Sequence, residues 1–162
     1  MIQVEKLTPD RWKDCRELRL EALQNDPLAF GSSYEEEKFI TQDEWKRRIQ
    51  NALFALSNDK PIGMIVYIIN NRIKTKHIAH IFGAYIKKDY RGQGFGKKLI
   101  ESALQMIQDD ENVSKIKLTV NAEQKAAIKL YKTYGFELVG RLRQELKVAN
   151  KFYDELIMER LL

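Results

Sequence analysis

A glycine-rich segment between a strand-like run and an amphipathic helix pattern is the part of the sequence best suited to bind an anion. It reads RGQGFG from Arg91 to Gly96, and Lys97 and Lys98 follow it. Glycines let the backbone approach a ligand or adopt positive φ, and the free N–H groups of a helix start can donate to phosphate oxygens. Cations in a first helical turn are unfavourable unless an anion binds nearby. The segment therefore predicts a phosphate site.

The glycine spacing does not fit two common nucleotide motifs. A dinucleotide-binding turn needs G-x-G-x-x-G, but here the glycines lie at alternate positions, Gly92, Gly94 and Gly96. A triphosphate-binding loop needs glycine where Arg91 stands and Ser or Thr where Lys98 stands. Considered alone, the segment is also compatible with a tight strand-to-helix connection whose lysines point into solvent.

Composition predicts an ordinary soluble domain. The chain has 162 residues, of which 44% are hydrophobic and 31% charged, and no Pro/Gly/Ser-rich linker divides it, so we expect one domain over 1–162. Its longest apolar run is far shorter than the roughly 20 residues that a membrane helix needs. Cys15 is the only cysteine, and the N-terminus does not resemble a secretory signal. A cytoplasmic location is expected.

The order of apolar patterns predicts a mixed α/β fold, of the α+β type. A twisted, mostly antiparallel sheet is expected, with one central parallel strand pair and about four helices. The parallel pair follows from the strand, helix, strand order around the glycine segment. Predicted helices begin near Thr8, at a capping box of Thr41 and Glu44 whose inner stripe would be Trp45, Ile49 and Leu53, after Gly96, and near Glu123. Predicted strands cover 2–6, 53–56, 61–69, 78–86, 116–120, 136–148 and 152–161.

Two motifs resemble the GNAT family of N-acetyltransferases. The segment from Arg91 to Gly96 is similar to the R/Q-x-x-G-x-G/A pyrophosphate-binding segment of that family, and it follows the expected strand. Downstream, AAIKLYKTYGFELVG from Ala126 to Gly140 resembles the family pattern A-I-x-L-Y-x-x-x-G-F, with Tyr131 on the tyrosine. The resemblance is strong from Ile78 to Phe136 and looser before it.

The resemblance implies acetyl-CoA as co-substrate and a GNAT-like fold. Phosphates of the coenzyme would offset the cations at the helix start. A backbone N–H near Ile86 would stabilise the developing oxyanion. The family pattern usually has Asn where this chain has Gln124, and Asn121 could compensate or could only cap the next helix. The implied coenzyme-binding residues are Ala84, Tyr85, Ile86, Arg91, Gly92, Gln93, Gly94, Phe95, Gly96, Lys97, Asn121 and Gln124.

A phenol is the expected general acid, because it can protonate a departing thiolate and recover a proton from solvent. The resemblance assigns this role to Tyr131, with Tyr134 as rival, whereas helical periodicity alone favours a core aromatic at 131. The general base is open among Glu35, Glu36, Glu37 and His80. His77 and His80 point to opposite faces of a strand, so no metal is expected.

The sequence thus predicts transfer of an acetyl group to a primary amine, which is a small molecule, an amino acid or a peptide N-terminus. A sensor that binds coenzyme A without catalysis is the alternative, but it would not need Tyr131. Nucleic-acid binding is not expected, since the net charge is only +5 and no recognition motif is present. No membrane partner is expected either. A homodimer is compatible with the sequence, which does not decide it.

Overall fold

The computed structural model describes residues 2–162, which form a seven-stranded sheet flanked by five α-helices. The strand order is β1-β2-β3-β4-β5-β7-β6, and only β4 and β5 run parallel. The strands are β1 Gln3–Glu5, β2 Ala52–Ser57, β3 Lys60–Ile69, β4 Ile78–Ile86, β5 Lys115–Asn121, β6 Glu137–Val148 and β7 Lys151–Leu161. The helices are α1 Trp12–Asn25, α2 Tyr34–Glu37, α3 Gln42–Arg48, α4 Phe95–Gln108 and α5 Lys125–Thr133. The predicted sheet and its single parallel pair are confirmed.

Helices cover both faces of the sheet, and each covered face has its own apolar core. On the α4–α5 face, the inner stripe of α4 packs on residues of β2 to β5 and β7. On the α1–α3 face, residues of α1 and α3 pack on β2, β3 and Tyr85 of β4. Strand β2 contributes to both cores. Leu53 and Ala55 belong to the core on the α4–α5 face, and Phe54 and Leu56 belong to the core on the α1–α3 face. Burial on both sides explains its uninterrupted apolar sequence.

A bulge in β4 opens the middle of the sheet. Val66 pairs with Phe82 but Met64 pairs with Tyr85, so β4 has one residue more than β3 over this stretch, and Gly83 within it has φ +65°. Pairing of β4 with β5 ends at Ile81, whereas β5 continues to pair with β7 as far as Asn121. Beyond Ile81 the two central strands therefore no longer share hydrogen bonds.

Several local predictions need correction. Leu53 lies in β2 rather than on the predicted second helix, because that helix ends at Arg48 and a short 3-10 turn follows. The Thr41 hydroxyl does accept from the Glu44 N–H, but the Glu44 carboxylate bonds to Arg47 and Arg48 instead of completing a capping box. The complete capping box belongs to α2. No helix within residues 2–162 is both long and apolar enough to cross a membrane.

Candidate active site

The opening between β4 and β5 leads into a cavity of about 860 Å³ that reaches both faces of the sheet. Ala127 and Tyr131 line it on the α4–α5 face, and Phe30 and Trp45 line it on the α1–α3 face. The ends of the separated strands, Gly83 and Ala84 on β4 and Thr119 to Asn121 on β5, lie between them. A molecule held on one face can thus meet a molecule held on the other.

Asn121 places an unpaired hydrogen-bond donor at this opening. Its side chain is 2% exposed, and its Oδ1 accepts from the Glu123 N–H at 2.9 Å, which closes a local turn ahead of α5. The N-cap of α5 is Gln124, so Asn121 does not cap that helix. Its Nδ2 is buried and has no partner within residues 2–162. A buried donor without a partner costs about 1–3 kcal/mol, so a carbonyl oxygen of a bound molecule would be favoured here. Gln124 lines the same cavity.

Tyr131 is positioned by the way α5 ends. The Phe136 N–H donates to the Tyr131 carbonyl and the Gly135 N–H to that of Lys132, which forms a Schellman motif with φ +83° at Gly135. The same turn places the Phe136 ring edge-on against the Tyr131 ring, with centroids 5.8 Å apart. The G-F pair of the sequence motif therefore fixes the tyrosine that precedes it.

Only one of the two candidate tyrosines faces the cavity. Tyr131 lines it, its hydroxyl makes no side-chain hydrogen bond within residues 2–162, and burial raises its pKa to about 12. Tyr134 lies outside the cavity, and its hydroxyl donates to Glu101 Oε1 at 2.7 Å. Burial and this carboxylate raise the pKa of Tyr134 to about 12 as well. Of the two tyrosines that the sequence offered as general acid, Tyr131 alone lies where it could reach a molecule in the cavity.

The glycine segment leaves backbone donors free at the start of α4. The first hydrogen bond of this helix joins the Lys98 N–H to the Gly94 carbonyl, so the amides of Phe95, Gly96 and Lys97 have no helical partner. Gly92 and Gly94 have φ of +73° and +90°, and no atom lies within 4 Å of the position that a side chain at Gly92 would take. Gln93 turns away and donates to the Asp89 carbonyl.

The side chains of Arg91 and Tyr85 are engaged by the protein. Arg91 donates from Nε to the Ile86 carbonyl at 2.9 Å and forms an ion pair with Asp26 at 2.6 Å, with its guanidinium over the Tyr85 ring. The Tyr85 hydroxyl donates to Glu21 and belongs to the α1–α3 core. These contacts attach the glycine segment to α1. Lys97 and Lys98, in contrast, are exposed and form no ion pair within the described part of the chain.

The three glutamates that the sequence offered as bases all bond to other groups of the protein. Glu35 pairs with Lys38, and Glu36 completes the capping box with Ser33. Glu37 is 4% exposed and accepts two hydrogen bonds of 2.9 Å from Arg19. Arg48 adds an ion pair at 3.3 Å to the same carboxylate. Burial alone would raise the pKa of Glu37, but the two arginines outweigh it and lower the pKa below its usual value.

Two charged residues on strands, which the sequence did not single out, line the cavity on the α1–α3 face. They are Lys117 on β5 and Glu155 on β7. Burial first, and the charge of Glu145 second, raise the pKa of Glu155. The alternation of side chains along β7 could have indicated the position of Glu155. Leu156 and Met158 lie in the α4–α5 core, which places Glu155 on the opposite face of the sheet.

His80 also lines the cavity, on the paired part of β4 before the opening. Burial and the neighbouring Lys117 lower its pKa. Within residues 2–162, no three His, Cys, Asp or Glu side chains are grouped so that they could hold a metal ion.

Comparisons with known proteins agree with this architecture. A family model described as "Acetyltransferase (GNAT) family" matches residues 12–136. The L-amino acid N-acetyltransferase AaaT of Escherichia coli (strain K12) is 26% identical over 121 residues, which are 72% of this chain and 74% of that protein.

Two solved structures share the fold over nearly the whole chain. A GNAT-family acetyltransferase from Streptococcus pneumoniae has a TM-score of 0.89, 23% identity and coverage of 100% of both chains. A phosphinothricin acetyltransferase from Sinorhizobium meliloti, in complex with acetyl-CoA, has a TM-score of 0.81 and 18% identity, and the match covers 99% of this chain and 88% of that one. With a family model that spans most of its length, the chain belongs to the GNAT family of acetyltransferases.

Proposed function

We propose that this protein is an acetyl-CoA-dependent N-acetyltransferase that transfers the acetyl group directly to a primary amine, with residues 1–162 acting as one domain. The observation that carries the proposal is the opening between β4 and β5, which joins Tyr131 and Asn121 to a second chamber on the α1–α3 face. Direct attack requires both substrates to meet at one point, and the opening provides that point.

The coenzyme is proposed to lie across the start of α4 and along β4. Its pyrophosphate accepts hydrogen bonds from the backbone of the glycine segment, including the free amides of Phe95, Gly96 and Lys97, while Lys97 and Lys98 offset phosphate charge. Its pantetheine arm follows the backbone of Ile86, Tyr85 and Ala84, on the strand edge that β5 no longer pairs. Asn121 Nδ2 and Gln124 lie at the far end, where the thioester would enter the cavity.

The reaction needs a neutral amine, a polarised carbonyl and a proton for sulfur. The amine nitrogen forms a bond to the acetyl carbon, and a free N–H of β4 stabilises the oxyanion. The C–S bond then breaks with its electron pair on sulfur, which takes the Tyr131 proton, and the proton lost by nitrogen restores the phenol. Because the pKa of Tyr131 is about 12, full transfer to a thiolate of pKa about 8.5 is uphill by roughly 5 kcal/mol. We therefore propose that the proton moves late, as the sulfur charge develops.

The cavity favours an acceptor that carries a carboxylate, such as an amino acid. Lys117 forms no ion pair within residues 2–162, so it is available to an anionic group. A polyamine would instead need several free carboxylates, but Glu37 and Glu44 are held by arginines. The relative named as an L-amino acid N-acetyltransferase supports the same choice.

Thiol release from acetyl-CoA with a panel of amines tests the proposal. We expect amino acids to be acetylated faster than polyamines, and Tyr131→Phe to lower kcat about 10²- to 10⁴-fold. Tyr134→Phe is the matched control, because its hydroxyl faces Glu101 outside the cavity. Calorimetry should show unchanged acetyl-CoA binding in both variants. Tight binding without turnover on any amine would instead favour the sensor function.

A further inference from the structure

Three glutamates line the cavity within the described chain, and their surroundings differ. Glu37 accepts from Arg19 and pairs with Arg48, and Glu44 pairs with Arg47 and Arg48. Glu155 has neither an ion pair nor a side-chain hydrogen bond within residues 2–162. A carboxylate without a partner in a cavity is available to a cation that enters it.

Glu155 lies beside the opening of the sheet. It stands opposite Asn121 in the register of β7 and β5, at the end of β5 where β4 has already separated. Its side chain projects to the α1–α3 face, because its neighbours Leu156 and Met158 are in the other core. Tyr131 lines the same cavity from the α4–α5 face. An acid and a carboxylate therefore flank the opening from opposite sides.

His80 is less well placed for a role at the opening. It pairs with Lys117, whereas Glu155 pairs with Asn121, four residues further along β5. Four residues of strand span about 13 Å. His80 thus stands on the closed part of the sheet, away from the opening.

We infer that Glu155 is the general base, taking a proton directly from the ammonium group of the acceptor at the opening. This inference rests on the proposed function. The ammonium N–H bond breaks and its proton goes to a Glu155 oxygen, which leaves the lone pair on nitrogen to attack the acetyl carbon. Glu155 then releases this proton to solvent through the exposed side of the cavity. One proton is released for each amide and free thiol formed.

The surroundings of Glu155 make it a stronger base than an exposed glutamate. Reference values of about 4.3 for Glu and 10.4 for an alkylamine separate the two groups by about 6 units, or roughly 8 kcal/mol. Burial and the charge of Glu145 raise the pKa of Glu155 and so narrow this gap. An acceptor whose amine is already neutral has no proton to give to Glu155 before attack. Loss of Glu155 should therefore slow the reaction of a protonated acceptor much more than that of a neutral one.

The test compares Glu155→Gln with Glu159→Gln as a matched control. Glu159 lies on the same strand and the same face, pairs with Lys115 and does not line the cavity. Each protein is assayed with an amine acceptor and with an analogue that carries fluorine atoms on the carbon next to the amine-bearing carbon. The fluorines lower the pKa of the amine, so this analogue is largely neutral at the assay pH. For the ordinary amine, we expect E155Q to lower kcat/KM about 10²- to 10⁴-fold. For the fluorinated analogue, we expect E155Q to lower kcat/KM by less than about tenfold. E159Q should have wild-type kcat/KM with both acceptors.

Calorimetry with acetyl-CoA accompanies the assay and should give the same Kd for all three proteins, which shows that E155Q is folded. Equal losses on both acceptors would overturn the inference, because Glu155 would then act on acceptor binding or structure. Wild-type rates in E155Q would overturn it as well. If wild type acetylates no amine of the panel but binds acetyl-CoA, the proposed function fails first and the inference fails with it.

Discussion

The two sides of the sheet offer different kinds of groups to a ligand. Around the start of α4, the groups available to a ligand are main-chain amides and two unpaired lysines, and no acidic residue lies in the first turn of that helix. Across the sheet, the charged side chains of α1, α2 and α3 around the cavity are paired with one another. Lys117 of β5 and Glu155 of β7 line the same cavity and form no ion pair within residues 2–162. A backbone site suits a coenzyme that never changes, whereas a site of paired side chains can be altered for a new acceptor one residue at a time.

The largest expected effect concerns the ion pairs of the α1–α3 face. Glu37→Ala leaves Arg19 and Arg48 without their buried partner, and we expect the free energy of unfolding to fall by about 3–5 kcal/mol. Glu35→Ala, two residues earlier, removes only an exposed pair with Lys38 and should leave stability almost unchanged. Urea unfolding followed by tryptophan fluorescence measures both. Equal stability of the two variants would contradict the distinction between the two glutamates.

The contribution of Glu37 to the free energy of unfolding should depend on pH. The pKa of Glu37 is lower in the folded protein than in the unfolded chain, so its stabilisation is complete above the unfolded value of about 4.3 and is lost as pH falls through the folded pKa. The difference in unfolding free energy between wild type and Glu37→Ala should therefore shrink below about pH 4. A difference that stays constant down to pH 2 would argue against an ionised Glu37 in this cluster.

On the coenzyme side, the expected effect is on binding. Gly94 begins α4 with φ +90°, and a β-branched residue there would cost about 1–3 kcal/mol of backbone strain. Gly94→Val should weaken acetyl-CoA binding by about tenfold or more, as measured by calorimetry. Gly140→Val is the control, since a side chain at this strand position would meet Ile157 at an ordinary 3.5 Å. If G94V binds as wild type does, the backbone conformation of this segment does not matter for the coenzyme.

A smaller effect is expected from the unpaired lysines. Lys97→Gln with Lys98→Gln should raise the Kd for acetyl-CoA by about threefold to tenfold at low salt. The difference should vanish near 1 M salt, where the screening length is about 3 Å. Lys74→Gln, in the loop between β3 and β4, serves as the control for a general change in charge. A loss that persists at high salt would indicate a contact other than charge attraction.

The smallest expected change is at Cys15. This thiol lines the cavity on the α1–α3 face but is only 2% exposed, and burial raises its pKa to about 12. It should resist a disulfide reagent at pH 8 in the native protein and react fully in urea, because the thiolate is the reactive form. Labelling with mass determination checks this. Rapid labelling of the native protein would mean that the α1–α3 face opens readily.

The backbone conformation at the start of α4 and the end of α5 could be predicted from the sequence because its signals are local. The glycines from Gly92 to Gly96 and the turn from Tyr131 to Phe136 each act within a few residues, through φ angles and main-chain hydrogen bonds. Helical periodicity, in contrast, extended the second helix to Leu53, because an apolar residue four positions after Ile49 fits a helix as well as the strand that follows.

The ion pairs of the α1–α3 face could not be predicted, because they join distant parts of the chain. Glu37 meets Arg19 across 18 residues. An acidic run in a sequence does not reveal which of its members will find an arginine once the chain is folded. Glu155 was missed for the opposite reason, since what distinguishes it is the lack of an ion pair or side-chain hydrogen bond within residues 2–162.

The separation of β4 from β5 also bears on how products leave. If the coenzyme binds on one face of the sheet and the acceptor on the other, neither product has to pass the other on its way to solvent. Release of the thiol would then require no displacement of the amide, and the turnover cycle would impose no fixed sequence of departure. A seven-stranded sheet that is interrupted at its centre, rather than at its edge, would then give each substrate its own route in and out.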